Sequence, residues 1–507
     1  MKNIFLVLIL IIATDITAQN KTAELNLKIT IDKTLEHQFN SNGRLFVYLS
    51  ENDEFEPRFS SIYTSGNIFA KNFQNWNTNT TFVLTSEDKW KSTADWGFKN
   101  APKGNYFIQT VWNQNNNPKP NSSGNLYSKS VNINLDSNKD ITLSISEVIP
   151  KPSLVEHELV EFFSYESELL TQWWKKPRII KAAVLLPPDY DEKSDKGYPV
   201  RYNIGGYGER YTRVNDLVED TQFMNWWTSD EAPQIITVFL DGHGPLGDPY
   251  QINSENNGPY GDALIKELIP AVEQKFNALR SSKTRFLDGC SSGGWVSLAL
   301  QLFYPEQFSG CFSYSPDPVD FRHMQLVNIY KDKNVFYNQA DYLIPSMRDI
   351  YGNPQFSIQE EINSENVQGI SNTYVTSGEQ WGGWHAVFSP KAENGLPQPL
   401  FDFKTGKIDQ NIAEQWRKYD LLDFVKANWI ELGPKIQGKI YIQTGNRDEF
   451  YLNNAVWTFK LFLSRTQSPK SDAKIVFSSM KGHCWEYSHK KVLMQIQNRL
   501  ATLDNKN

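Results

Sequence analysis

The sequence predicts an α/β fold: a mostly parallel central sheet with helices on both faces, carrying a long capping insertion and preceded by an all-β, sandwich-like domain. Three observations predict it. From about residue 179, unbroken apolar runs alternate with segments of helical spacing, and such runs mark strands buried on both faces. Between residues 23 and 148, shorter alternating segments are separated by Asn, Gly, Pro and Ser. At residues 284–295 an apolar strand passes through Gly289-Cys290-Ser291-Ser292-Gly293 into a helix, which places a serine at the apex of a tight turn with small neighbours on either side.

A chain of 507 residues is too long for one ordinary domain. Hydrophobic residues make up 39% and aromatic residues 13%, enough for sizeable cores. The 15 Trp and 23 Tyr suit clefts for sugars or aromatic groups as well as cores. A net charge of −7 with no long basic run argues against nucleic acid as a partner. Lys2, the apolar run 4–13 and Ala18 before Gln19 describe a signal peptide over residues 1–18, so export to the periplasm or outside the cell is expected. No later run is long enough to span a membrane. Three cysteines allow one intramolecular bridge and one free thiol.

In chain order, strands are expected at 23–31, 44–49, 80–84, 105–112, 131–135 and 141–145, forming the domain 23–148. A packing or spacer role fits this domain better than carbohydrate binding. Ile149-Pro150-Lys151-Pro152 opens an expected linker, 149–178. The domain 179–507 then starts with strands at 179–186, 199–204 and 235–240. A helix is expected over 261–277, with Pro270 as a kink. The elbow strand and the helix 292–304 follow, then a strand at 309–315. From about 319 to 428 the alternation is lost, and polar and aromatic text forms the insertion. Strands at 439–444 and 474–477 and helices at 453–463 and from 490 complete the pattern.

A serine hydroxyl needs a base within hydrogen-bond reach, and the base needs an orienting acid. Of seven histidines, His483 stands directly after the last strand, where the base belongs, and His489 is the fallback. Asp448 follows the penultimate strand and is the candidate acid. Glu449 could substitute for it, and Asp317 and Asp320 are weaker choices. A tetrahedral intermediate needs backbone donors. Ser292 N–H is one, and Tyr207 N–H in Gly206-Tyr207-Gly208 is the candidate for the other. In the insertion, Trp381, Trp384 and His385 are candidates to line the cleft. No metal site and no cofactor are expected.

These stretches resemble the esterase D-like family of α/β-hydrolases, which includes feruloyl, acetylxylan and trilactone siderophore esterases. The matching text is Leu185-Leu186-Pro187-Pro188-Asp189-Tyr190, Tyr198-Pro199-Val200, Glu267-Leu268-Ile269-Pro270, Gly289-Cys290-Ser291-Ser292-Gly293-Gly294, Tyr304-Pro305-Glu306-Gln307-Phe308, Gly445-Asn446-Arg447-Asp448 and Gly482-His483. The resemblance covers most of the chain after Arg178, outside the insertion. It implies an α/β-hydrolase fold and carboxylic ester hydrolysis with Ser291, Asp448 and His483 as triad. One departure stands at the oxyanion strand, where the family's His-Gly is Gly205-Gly206. Cys290 before the serine and Cys484 after the histidine are similar to the pattern of tannase-type feruloyl esterases, and that similarity implies a Cys290–Cys484 bridge. Cys311 is expected to be core.

The leading expectation is therefore a serine esterase acting on glycan-linked acyl groups of feruloyl or acetyl type. Hydrolysis of small or siderophore-like esters, acyl transfer on the same fold, and a peptidase of this fold are alternatives within the class. A non-catalytic binding protein on a hydrolase scaffold is the alternative of another class.

Overall fold

The computed structural model describes residues 26–504 apart from 65, 78–81, 85–89, 95, 97–101, 116–117 and 137–139. The expected signal peptide, 1–18, lies outside the described residues, as do residues 23–25 of the first expected strand and 80–81 of the third.

Nine strands form the N-terminal sheet: β1 (Asn26–Ile31), β2 (Gly43–Ser50), β3 (Asn67–Phe73), β4 (Phe82–Leu84), β5 (Lys91–Ser92), β6 (Asn105–Asn113), β7 (Leu126–Ser128), β8 (Val131–Asn134) and β9 (Asp140–Val148). Their order is β4-β1-β9-β7-β6-β2-β3-β5, with β8 on β6. The pairing is antiparallel except between β1 and β9. Leu45, Val47 and Leu49 of β2 join Leu27, Ile29, Ile108 and Leu143 in one core. The opposite face is also covered, with Phe46, Tyr48, Ile68 and Ala70 packing against Val367 of the insertion. That double burial explains why β3 lies outside the expected set. Its Ile68, Phe69 and Ala70 are all buried, so the alternation that marks a half-buried strand is missing.

The second sheet has eight strands: β10 (Val160–Glu166), β11 (Ile179–Leu185), β12 (Val200–Ile204), β13 (Ile236–Leu240), β16 (Arg285–Cys290), β17 (Gly310–Tyr314), β20 (Ile440–Gly445) and β21 (Lys474–Ser478). Two small hairpins, β14 (Asn253–Ser254) with β15 (Gly258–Pro259) and β18 (Pro345–Arg348) with β19 (Pro354–Ser357), stand outside it. The order is β10-β11-β13-β12-β16-β17-β20-β21. It is parallel from β13 to β21 and antiparallel at the β10–β11–β13 edge. The stretch 149–178, expected as a linker, thus supplies edge strand β10 and helix α1 (Glu168–Trp174). Only Val160 of β10 is buried, and Glu161, Ser164 and Glu166 are exposed, as suits a strand at the sheet edge, so no unbroken apolar run marks it.

The remaining helices are α2 (Val214–Glu219), α3 (Thr221–Trp227), α4 (Tyr260–Ala263), α5 (Ile269–Lys275), α6 (Ser292–Phe303), α7 (Ile358–Gln368), α8 (Gln380–Phe388), α9 (Gln410–Trp416), α10 (Leu421–Lys435), α11 (Asn453–Arg465) and α12 (His489–Asp504). Alternate strand residues face opposite cores. Tyr202, Val238, Leu287 and Ile442 pack towards α5, α6, α10 and α11. Ala183, Phe239, Phe286 and Phe312 pack towards α2, α3 and α12. A π-helical turn at Leu264–Leu268 joins α4 to α5 just before Pro270, where proline has no N–H for the regular ladder. The insertion holds α7, α8 and α9, and α10 begins inside its expected end. Helix α8 escapes periodicity because it is buried all round: Trp381, Trp384, Ala386, Val387 and Phe388 are all core.

Beneath the elbow, Arg201 of β12 makes a two-pronged ion pair with Asp288 of β16, at 2.7 and 2.6 Å, both side chains fully buried. Asn203 and the Tyr487 hydroxyl also donate to Asp288. Removing one partner leaves an uncompensated buried charge. Arg201→Met should therefore lower stability by about 3–5 kcal/mol, measured as a shift in the denaturant midpoint.

Candidate functional site

Ser291 follows β16 and caps α6 with φ 58° and ψ −125°, a conformation that L-residues seldom adopt. Close packing holds it there. A Cβ added at Gly289 would lie 2.5 Å from the Ile204 carbonyl oxygen, one at Gly293 would overlap the same oxygen, and one at Gly294 would overlap the Tyr314 carbonyl. Ser291 N–H donates to Tyr314 O at 3.0 Å. The serine side chain therefore projects from a turn with no slack.

His483 lies in the loop after β21. Its Nδ1–H donates to Asp448 Oδ2 at 2.7 Å, which leaves Nε2 as the acceptor nitrogen. The other Asp448 oxygen accepts the N–H groups of Phe450 and Leu452, at 3.0 and 3.2 Å. Burial disfavours the imidazolium, but the Asp448 carboxylate outweighs it, so the His483 pKa stands above the ordinary value of 6.5. Ser291 and His483 line one cavity of about 260 Å³. The fallback residues are placed elsewhere. His489 begins α12 and accepts from Arg201 Nη2, and burial beside that cation holds its pKa well down. Glu449 accepts the backbone N–H of His483 and so shapes the loop. Asp320 is buried and receives Thr458 Oγ1 at 2.7 Å and an ion pair from Arg322.

The glycine loop after β12 lies against the serine, since a Cβ on Gly206 would sit 3.8 Å from Ser291 Cβ. Gly206 N–H donates to Glu209 Oε2. Among the described residues, Tyr207 N–H and Ser292 N–H have no acceptor. Cys290 and Cys484 are disulfide-bonded, with Cα atoms 6.0 Å apart, which ties the elbow to the histidine loop. Cys311 is a buried free thiol in β17.

Of the three expected cleft residues, only Trp384 reaches the cavity. Trp381 is core and donates its indole N–H to Glu361. His385 is fully buried. Its Nδ1–H donates to Trp381 O, and its Nε2 accepts from Leu400 N–H. Trp381 and His385 share a helical face with Trp384, but α8 is buried on every side and both pack into the core of the insertion.

Sequence reasoning missed several walls. Tyr63, from the loop before β3 of the N-terminal sheet, lines the cavity and meets Phe450 edge-on. Phe450 in turn lies edge-on to His483. No local pattern marks such a residue, because only docking of the N-terminal sheet brings it there. Asp317, ranked among the weaker acids, is buried beside the serine. Its Oδ2 accepts from Tyr250, Ser292, Gln380 and Trp384, while Oδ1 stands 3.5 Å from Ser291 Oγ. Its position after β17, behind Ser315-Pro316, was the available signal. Gln325 and Glu361 of the insertion complete this side. A second cleft of about 570 Å³ shares Tyr207 and Gln380 with the first and is bordered by Lys119, Asn121 and Ser122 of the N-terminal domain.

A doubly covered, mostly parallel sheet with a serine elbow after its central strand defines an α/β-hydrolase, here a carboxylic ester hydrolase. The "Putative esterase" family model matches residues 176–500, and the chain belongs to that family. No curated protein matches it. Among solved structures, a ferulic acid esterase is 16% identical, with 68% of this chain and 97% of that chain covered, at a TM-score of 0.37. An S-formylglutathione hydrolase from Agrobacterium tumefaciens is 16% identical over 69% and 96% of the two chains, also at 0.37. A CE1 ferulic acid esterase from Anaeromyces mucronatus is 15% identical over 69% and 93%, at 0.34. Among the described residues, no helix is long and apolar enough to cross a membrane.

The disulfide closes a loop of 194 residues. Replacing both Cys290 and Cys484 by Ala should lower stability by about 2–4 kcal/mol, read as a drop in melting temperature. Tyr63→Ala should raise KM for a bulky ester more than for an acetyl ester, measured by steady-state kinetics.

Proposed function

We propose that the protein is an exported serine esterase working through an acyl-enzyme. Ser291 Oγ attacks the ester carbonyl carbon while His483 Nε2 takes its proton. Asp448 holds the imidazole with Nε2 towards the serine and stabilises the imidazolium that forms. The tetrahedral oxyanion is received by Tyr207 and Ser292 N–H. Collapse breaks the carbon–oxygen bond to the alcohol, whose oxygen takes the proton from His483. Water then attacks the acyl-serine with His483 again as base, releasing the acid and restoring Ser291.

The observation that carries this reading is the Asp448–His483 hydrogen bond at a cavity shared with the strained Ser291. The larger cleft, with amide, hydroxyl and lysine groups at its rim, supports an ester of a glycan or similarly hydroxylated alcohol. The disulfide supports export, since such bonds persist in oxidising compartments.

The test is turnover of 4-nitrophenyl acetate, followed by a panel of acetyl, feruloyl and glucuronoyl esters of sugars. Ser291→Ala should lose on the order of 10⁴-fold or more in kcat. Activity that survives the substitution would overturn the mechanism. The pH dependence should follow His483. Only its neutral form accepts the serine proton, so kcat/KM should rise with pH, with a midpoint above 6.5. Asp448→Asn should cut kcat by about 10⁴-fold.

A further inference from the structure

The lining of the 260 Å³ cavity carries an excess of acceptors. Asp317 uses Oδ2 for four neutral donors and turns Oδ1 towards Ser291 Oγ at 3.5 Å. Glu361 Oε2 accepts from Ser346 Oγ at 2.5 Å and Trp381 Nε1 at 3.2 Å, while its Oε1 has no donor among the described residues. Glu365, behind it, is held by Ser377 Oγ and the N–H groups of Trp381 and Gly382. All three carboxylates are at least 95% buried, and among the described residues no Lys or Arg is bonded to any of them. Burial pushes Glu361 up to about 7, and burial with the neighbouring Glu361 charge pushes Glu365 up to about 8.

An independent observation points the same way. Gln325 is 3% exposed and lines the cavity. Its Nε2 donates to the Ser346 carbonyl and hydroxyl, at 3.2 and 2.8 Å. A carbonyl can only accept, so the amide nitrogen must face Ser346. That leaves Oε1 buried with no partner, an unfavourable arrangement for a buried acceptor. The same Ser346 hydroxyl bridges Gln325 Nε2 to Glu361 Oε2, so the two side chains belong to one hydrogen-bond network.

We infer that this cavity receives a protonated amine carried by the substrate, so that the preferred esters bear an ammonium group within a few bonds of the ester carbonyl. An ammonium supplies three N–H donors and the positive charge that the carboxylates lack. Tyr63, Trp384 and Phe450 add aromatic surface that can pack on the alkyl stem and, where a ring face is presented, on the cation. A neutral hydroxyl could satisfy one acceptor only and would leave the charge uncompensated. The inference rests on the esterase reading for the word substrate, but not for the binding itself.

Calorimetric titration of the full chain with benzylammonium chloride and with benzyl alcohol, near pH 8 where the amine is protonated, tests it. Benzylammonium should bind at least about tenfold more tightly, the size of a charge-assisted hydrogen bond. Glu361→Gln and Gln325→Leu should each shrink that advantage by about fivefold or more. Benzylammonium that binds no tighter than benzyl alcohol, undetectable binding of both included, overturns the inference. So does an advantage that survives in the variants. Should Glu361→Gln fail to fold, the wild-type comparison and Gln325→Leu decide. Loss of this selectivity with 4-nitrophenyl acetate turnover intact would remove only the ammonium site. Selective binding without turnover would remove only the esterase reading.

Discussion

The contact on which the site depends is the close approach of β16, α6 and the end of β12 around Ser291. Two glycines face the Ile204 carbonyl and a third faces the Tyr314 carbonyl at distances that admit no side chain. Only this approach allows the serine to hold φ 58° at the head of a helix. Strain of that kind persists where the surroundings over-determine it, and the surroundings here are the buried centre of a parallel sheet. The Arg201–Asp288 pair sits one residue before Gly289 and locks β12 to β16 at the same level. Such a pair adds little net energy over an apolar one, but it fixes which groups may lie beside it.

From that centre the histidine loop is anchored by three independent means. The disulfide joins Cys484 to the residue before the serine. Cys484 N–H donates to Ser315 Oγ at 3.1 Å. Tyr487 reaches Asp288 from the same loop at 2.9 Å. Asp448 is held through its own neighbours' amides, so the imidazole meets a carboxylate that cannot swing. Displacements of about an ångström are costly in such geometry, and the density of anchors limits them.

The walls of the cavity come from elsewhere. Arg44 of β2 donates to the Val367 carbonyl in the last turn of α7 and to Asn372, which docks the N-terminal sheet onto the insertion. That docking brings Tyr63 to the cavity and gives the N-terminal domain a part beyond the packing or spacer role that its sequence suggested. The insertion supplies Trp384, Gln325 and Glu361. Its core is continuous with one face of the main sheet, which explains its aromatic content.

The sequence by itself determined the class of fold, because strands buried on both faces must be apolar throughout and an elbow must have small residues at set positions. It also determined the order in which serine, acid and histidine candidates follow their strands, since that order is a property of chain direction. Only the tertiary structure decided which residues form the walls. Tyr63, Asp317, Gln325 and Glu361 are distant in sequence and share no period. Trp381 and His385 show the converse, for their composition suits a cleft while burial on every side of α8 makes them core. Burial and hydrogen-bond partnership are decided by packing between segments, and no local pattern carries them.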